Sequence, residues 1–206
     1  VVLDISEKAP KILGISISRD GCSGILCDMK LSVIKSQSSH FKLSTGKPDI
    51  LQTVYGIVDN LICDNVLAIG VSSIGPLDSV NGVILDPPNF FGISNVAIGN
   101  MLKRRYRKAV YFNNDVNCAA ICEKLFGCGK SLDNFLYVAI DNGIGSGIIS
   151  NGYLYQNGST LAGELGHVSI CYNGELCACG NNGCLELYAS VPVIEHRLDE
   201  ITGLSK

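Results

Sequence analysis

The hydrophobic pattern of the first part of the chain predicts strands that alternate with helices. Apolar and small polar residues alternate in three early segments, as is typical of half-buried strands, and apolar residues at helical spacing follow. The predicted elements are strands at 12–18, 22–28 and 31–38, a helix at 48–63, strands at 66–73 and 80–85, a helix at 96–105, a strand at 110–113 and a helix at 115–126. This order predicts a mixed sheet covered by helices, which is an α/β fold.

A glycine-containing segment at 127–131 is expected to link this part to a second lobe. Apolar strands are predicted at 135–140 and 143–149, a turn at Asn151-Gly152, and a helical pattern at 185–200. The predicted domains are therefore an N-terminal α/β lobe at 1–128 and the start of a second α/β lobe at 129–206. Because the second lobe is short for its size class, we expect it to be truncated at its C-terminus.

Composition narrows the function classes. The 206 residues carry a net charge of −3, with 47% hydrophobic and 17% charged residues, as in an ordinary folded protein. The sequence shows no apolar run long enough for a membrane span and no secretory signal pattern. Seven of the ten cysteines are scattered without a framework spacing, which favours a reducing cytoplasm. The basic cluster at 103–107 is more typical of a solvated helix end than of a nucleic-acid site.

The remaining three cysteines form a motif. Cys177, Cys179 and Cys184 have C-x-C-x4-C spacing, and His167 lies ten residues before the first of them. Zinc prefers four tetrahedral thiolate and imidazole ligands, and glycines inside the loop let it fold back on itself. A disulfide pair and buried apolar thiols are the alternatives, but the glycine-punctuated spacing favours a structural zinc site.

Acidic residues flank this motif. Glu164 and Glu186 lie next to it in sequence, and paired carboxylates and amides suit a polyhydroxylated ligand. Asp115, at the end of a predicted strand, could act as a general base, although an aspartate there is more often a helix N-cap. The alternative for Glu164 and Glu186 is a set of surface carboxylates.

The glycine-rich segment at 143–147 could present backbone amides to a phosphate. A glycine-rich hairpin turn explains it equally well. The tip of the first predicted hairpin carries Ser18-Arg19 in place of consecutive glycines.

Four motifs, taken in order, resemble those of the ROK family of bacterial sugar kinases and transcriptional repressors, and the resemblance covers nearly the whole chain. They are 70–76 (GVSSIGP), Asn114-Asp115, 163–167 (GELGH) and 177–186 (CACGNNGCLE). The resemblance implies an actin-like (ribonuclease H-like) sugar kinase fold with two lobes and a hexose or amino sugar in the interlobe cleft.

The resemblance also implies roles for individual residues. The sugar-contacting set is Gly75, Asn89, Asn114, Asp115, Glu164, His167 and Glu186. The ligands of a structural Zn²⁺ are His167, Cys177, Cys179 and Cys184. Asp115 is the catalytic base only if the protein is a kinase.

Two departures from the kinase pattern favour the repressor branch. Kinases carry roughly D-x-G-G-T in the first hairpin, which holds the ATP phosphates and Mg²⁺, whereas this chain has Ser16-Ile17-Ser18-Arg19-Asp20. Their second hairpin reads G-T-G-x-G-x-G, in contrast to DNGIGSG at 141–147. We expect the sugar-sensing effector domain of a ROK-type transcriptional regulator. The alternatives are an ATP-dependent, glucokinase-like ROK kinase and a zinc module that only mediates oligomerisation.

The repressors also carry an N-terminal winged helix, and this sequence begins where that module would have ended. It also lacks the C-terminal helices that complete the second lobe. We therefore expect a fragment that covers the effector-binding core. DNA is expected to be a partner only through a winged helix outside this sequence, no membrane is expected as a partner, and the full-length form is expected to be a homo-oligomer.

Overall fold

Two compact units make up the chain, Val1–Asp115 and Val116–Lys206. The computed structural model describes residues 4–41, 47–88, 90–156 and 162–203, except for the side chains of residues 47–49. Each unit is described by itself below.

A five-stranded mixed sheet with the order β3-β2-β1-β4-β7 is the framework of the first unit. Strands β1, β4 and β7 run parallel, whereas β1, β2 and β3 form an antiparallel meander. Its strands are β1 (Lys11–Ile17), β2 (Gly21–Cys27), β3 (Val33–His40), β4 (Val66–Ser73) and β7 (Ala109–Asn114). A short hairpin of β5 (Leu77–Asp78) and β6 (Val83–Ile84) and the helices α1 (Lys47–Leu61) and α2 (Ile98–Tyr106) complete it. The mixed sheet with helices agrees with the sequence pattern.

The apolar face of α1 packs on this sheet. The five apolar positions that define its helical spacing are all buried, and they are Ile50, Val54, Ile57, Val58 and Leu61. The helix lies so close to β2 that a Cβ at Gly24 would come within 2.6 Å of the Ile57 side chain and 2.7 Å of that of Leu61. A glycine is therefore required at this point of β2. The buried side chains of β1 and β4 complete one continuous core.

A three-stranded antiparallel sheet with the order β10-β9-β8 is the framework of the second unit. Its elements are α3 (Asp115–Leu125), β8 (Phe135–Ile140), β9 (Ile144–Ser150), β10 (Tyr153–Leu154), α4 (Glu186–Ala189) and α5 (Val191–Thr202). Helix α3 packs on β9, where a Cβ at Gly147 would meet the Ala120 side chain. This contact lies inside the second unit, which begins at Val116, and the domain boundary after residue 128 stays a prediction.

The predicted helix at 185–200 is two helices. Helix α4 ends at Ala189, and Ser190 is extended, with φ −70° and ψ 155°, before α5 begins. Pro192 explains the interruption, because its ring excludes a continuous helical turn before it and it fits best in the first turn of a helix. Among the described residues, no helix is long and apolar enough to cross a membrane.

Candidate metal centre

Four potential ligands lie together in the second unit. One donor atom each from His167, Cys177, Cys179 and Cys184 falls within 4.8 Å of all the others. The Sγ atoms of Cys179 and Cys184 are 3.6 Å apart, and Sγ of Cys177 is 3.7 Å from Nδ1 of His167. The spacing of the motif therefore corresponds to a cluster in three dimensions.

These distances fit a tetrahedral zinc ion. Zn–S bonds of about 2.3 Å and a Zn–N bond of about 2.0 Å place ligand atoms roughly 3.5–3.8 Å apart. The donor set of three thiols and one imidazole is also one that zinc prefers. Four protein ligands would leave no open coordination position, as in a structural site.

The loop around the cluster folds through its glycines. Gly180 and Gly183 have φ of +90° and +63°, which L side chains rarely adopt. A Cβ at Gly183 would also overlap the carbonyl oxygen of Cys171, whereas nothing lies within 4 Å of one at Gly180. Gly183 is thus required both for its backbone conformation and for close packing, and it sits directly before Cys184.

Two hydrogen bonds of Asn181 hold the ligand loop in place. The Cys177 N–H donates to the Asn181 carbonyl at 2.8 Å, and the Asn181 side-chain amide donates to the His167 carbonyl at 3.1 Å. Asn181 therefore joins the two segments that carry the ligands. Sequence reasoning missed this role, although its position inside the glycine-rich cysteine loop was a possible signal.

The environment of the thiols differs from one to another. A hydrogen bond from the backbone of Asn181 lowers the pKa of Cys179. Burial raises the pKa of Cys184 to about 12, and Cys179 and Cys177 add to the rise. A bound cation reverses this, because a coordinating thiol is deprotonated, so metal binding would release protons.

Two carboxylates face the imidazole of His167. Oε2 of Glu164 is 3.9 Å from Nε2, and Oε1 of Glu186 is 3.8 Å from Nδ1. Oε2 of Glu186 also accepts a hydrogen bond from the Ile144 N–H at 3.4 Å. Glu186 thus contacts both the histidine and the tip of the β8–β9 hairpin.

The same surroundings affect the acidity of Glu164. Burial raises the pKa of its carboxyl group, the nearby His167 opposes the rise, and Glu186 adds to it. Glu164, His167 and Glu186, three of the predicted sugar contacts, therefore lie close together in the second unit.

The remaining predicted sugar residues belong to the first unit. Asn114 ends β7 and pairs with Ser73 of β4, at the carboxyl end of two parallel strands. A Cβ at Gly75 would lie 3.1 Å from the Asn114 side-chain nitrogen, so these two positions are neighbours. Asp115 is the first residue of α3, and Asn89 lies outside the described residues.

The chain is similar to known proteins over most of its length. A family model described as "ROK family" matches residues 12–203. The xylose repressor of Bacillus subtilis (strain 168) is 32% identical over 197 residues, which cover 92% of this chain and 50% of that protein. The glucokinase of Thermotoga maritima is 31% identical over 194 residues, covering 92% of this chain and 60% of that protein.

A solved structure shares the fold. The crystal structure of a ROK family transcriptional regulator, a homologue of the E. coli MLC protein, matches with a TM-score of 0.85 and 26% identity, covering 97% of this chain and 52% of that one. The chain spans about half the length of the xylose repressor and of this regulator. Its α/β framework is that of the actin-like sugar kinase fold. This chain belongs to the ROK family.

Proposed function

We propose that this chain is the sugar-sensing part of a ROK transcriptional regulator and that it binds a hexose or amino sugar beside a structural zinc ion. The observation that carries the proposal is the pair of carboxylates, Glu164 and Glu186, on the two nitrogens of His167. Each sugar hydroxyl both donates and accepts a hydrogen bond, so carboxylates next to an imidazole N–H suit it well.

His167, Cys177, Cys179 and Cys184 would hold the zinc ion, which supplies charge and rigidity at a closed site. With Nδ1 of His167 on the thiol side, Nε2 carries the hydrogen and donates to a sugar oxygen. The carboxylates of Glu164 and Glu186 accept hydrogen bonds from sugar hydroxyls. Gly75, Asn89, Asn114 and Asp115 are proposed as further sugar contacts from the resemblance.

The hairpin tips support sensing over phosphoryl transfer. At the second tip the N–H groups of Asp141, Ile144 and Ser146 donate to the Gly143 carbonyl, to Glu186 and to the Gly163 carbonyl. At the first tip the N–H groups of Ser18 and Gly21 bond within the turn itself. Amides that already donate inside the protein are poor partners for a phosphate.

The regulator relatives suggest which sugars to try. The similar proteins include ones named "Xylose repressor" and "N-acetylglucosamine repressor". Because the chain spans about half of the xylose repressor, DNA recognition by the whole protein is a further part of the proposal.

Isothermal titration calorimetry with D-glucose and N-acetyl-D-glucosamine, and with the pentose D-xylose as a comparison, tests the proposal. We expect one of them to bind, and Glu164→Gln or Glu186→Gln to weaken that binding at least about tenfold through a lost charge-assisted hydrogen bond. Glu175→Gln, at an exposed carboxylate in the same loop, is the matched control. Absence of binding by the zinc-loaded wild type at millimolar sugar would leave only the structural zinc module.

A sugar kinase remains the second candidate, because Asp115 is present at the start of α3 and the glucokinase of Thermotoga maritima is 31% identical. Under that function the Asp115 carboxylate accepts the proton of the attacking sugar hydroxyl. ADP formation with ATP, Mg²⁺ and each sugar decides between the two. Sugar-dependent turnover that Asp115→Asn abolishes would replace sensing by catalysis.

A further inference from the structure

Arg19 occupies the corner of a tightly closed turn. In the turn between β1 and β2, the Ser18 N–H donates to the Gly21 carbonyl at 2.9 Å and the Gly21 N–H to Oγ of Ser18 at 3.2 Å. The Asp20 carbonyl accepts from the Phe41 N–H at 2.8 Å. The backbone that carries Arg19 is therefore fixed from both sides.

The half-buried Arg19 side chain reaches across to a distant loop. Its guanidinium donates a hydrogen bond to the carbonyl oxygen of Pro88, which lies 69 positions later in the sequence. Proline lacks an N–H, so Pro87 and Pro88 cannot fix this loop through their own donors. The Pro88 carbonyl instead accepts this side-chain hydrogen bond.

The loop after Pro88 has an unfavourable backbone. Phe91 has φ of +50° and Asn95 of +55°, although neither is a glycine. A bulky residue at positive φ persists only where the surrounding structure holds it. The loop of residues 87–88 and 90–95, here called the aromatic loop, therefore needs external contacts.

Phe41 supplies a second contact between the turn and the aromatic loop. Its ring lies edge-to-face against Phe90, with centroids 6.1 Å apart, and against Phe91, at 6.2 Å. Phe41 is the residue whose N–H bonds to Asp20. The turn that carries Arg19 thus contacts the aromatic loop both directly and through Phe41.

The aromatic loop in turn reaches the first unit's predicted sugar positions. The Asn95 N–H donates to the Leu85 carbonyl at 2.6 Å, and the Leu85 N–H donates to the Pro76 carbonyl at 3.0 Å. Pro76 follows Gly75, which lies against Asn114. A continuous series of contacts therefore runs from the first turn to Gly75 and Asn114.

We propose that Arg19 is a positioning residue that holds the aromatic loop and, through it, shapes the first unit's contribution to sugar binding. The first half of this statement stands alone, and the second half rests on the proposed function. The kinase pattern D-x-G-G-T has a glycine where this chain has Arg19, and in this proposal the arginine side chain has a structural role.

Hydrogen–deuterium exchange on the full chain tests the first half. Arg19→Ala should speed exchange at Ile93 and Asn95, whose N–H groups donate to the carbonyls of Phe90 and Leu85, by about tenfold or more through easier local opening. Arg19→Lys should keep most of the protection because it retains a cationic donor. Arg104→Ala, at an exposed arginine of α2, is the matched control and should leave the loop unchanged.

Unchanged exchange in Arg19→Ala would overturn the positioning role. Equal acceleration in β1 and β4 would also overturn it, because that is a general loss of stability.

Calorimetry with D-xylose, D-glucose and N-acetyl-D-glucosamine tests the second half. For the sugar that the wild type binds, Arg19→Ala should raise Kd about tenfold and Arg19→Lys should restore most of the affinity, as expected for loss of one charged hydrogen bond's support. An unchanged Kd in Arg19→Ala overturns this half. If the wild type binds none of the three, the proposed function fails while the exchange data still decide the positioning role.

Discussion

Each of the two units of this chain buries a different kind of interior. In the first, buried side chains of β1, β4, α1 and α2 form one apolar core. In the second, among its described residues, the buried apolar side chains are Ala120, Ile144, Ile149, Cys177 and Cys184. Two of these five, Cys177 and Cys184, belong to the candidate metal centre, so candidate ligands are a large part of what this unit buries.

In this chain, which spans about half the length of the xylose repressor, apolar side chains of β8 are exposed. Leu136, Val138 and Ile140 alternate along β8 and are 58%, 43% and 56% exposed. Apolar burial stabilises a fold by roughly 25 cal/mol per Å² of area removed from water. These three exposed side chains therefore contribute little stabilisation to the unit. A metal ion held by His167, Cys177, Cys179 and Cys184 would add a cross-link to a unit whose described residues bury few apolar side chains.

Removal of a bound metal ion should affect the second unit strongly and the first unit little. Structural zinc provides about 10–16 kcal/mol of apparent binding free energy in small zinc domains. We therefore expect chelation, or Cys184→Ala, to abolish amide protection in the second unit and to leave β1, β4 and α1 protected. Peptide-resolved hydrogen exchange with a zinc assay measures both.

Cys171→Ala is the matched control, because this exposed cysteine lies in the same loop outside the donor set. Its zinc content and protection should equal those of the wild type. A second unit that stays protected after verified removal of zinc would show that its few buried side chains suffice.

Truncation of a side chain in the apolar core should destabilise the first unit and leave the second unit unaffected. Leu13 is 0% exposed in β1, and Leu13→Ala should destabilise the first unit by about 2–5 kcal/mol through lost burial and a residual cavity. Leu67→Ala, the same change at a side chain that is 58% exposed in β4, should cost less than about 0.5 kcal/mol. Guanidinium unfolding followed by exchange of first-unit peptides gives both values.

The zinc content of Leu13→Ala should stay at the wild-type level under native conditions. Loss of zinc together with the first unit's stability would mean that the two units are one cooperative structure.

Local patterns could be predicted from the sequence wherever one element decides the outcome. The helical spacing at Ile50, Val54 and Ile57 identified the buried face of α1, and the cysteine spacing identified the candidate metal ligands. Both depend on residues close in the chain, whose periodicity or loop length already constrains their geometry.

Features that depend on tertiary contacts could not be predicted. Arg19 and Pro88 are far apart in sequence, and nothing local indicates that a guanidinium meets that carbonyl. The side of the His167 ring that faces the thiols is set by how the 163–167 segment packs on the cysteine loop. The break at Ser190 could have been predicted, because Pro192 marks the start of a new helix. The continuous helical pattern at 185–200 led to a prediction that ignored this proline.

Helices α1 and α2 of the first unit meet through polar groups as well as through apolar ones. The Tyr106 hydroxyl donates to Oδ1 of Asp59 at 2.7 Å, and the Arg105 guanidinium donates to Oδ2 at 2.7 Å. Burial acts to raise the pKa of Asp59, but these hydrogen bonds outweigh it and hold the pKa below the ordinary 3.8. A depressed carboxyl pKa stabilises the fold above pH 3.8, and that contribution is lost as the pH falls through the folded-state pKa.

Tyr106→Phe should therefore raise the pKa of Asp59 and destabilise the first unit by about 1 kcal/mol at neutral pH. The difference from wild type should shrink as the pH falls through the lowered folded-state pKa of wild-type Asp59, because below it the carboxyl is protonated in both proteins. Asp59 is 43% exposed, so solvent screening keeps the effect small.

A carbon NMR titration of the Asp59 carboxyl, with amide exchange in α1 and α2, measures the shift. Tyr111→Phe on the exposed face of β7 is the control. Because no metal ligand is involved, second-unit exchange should not change; an Asp59 pKa identical in both proteins would remove Tyr106 as the cause of the shift.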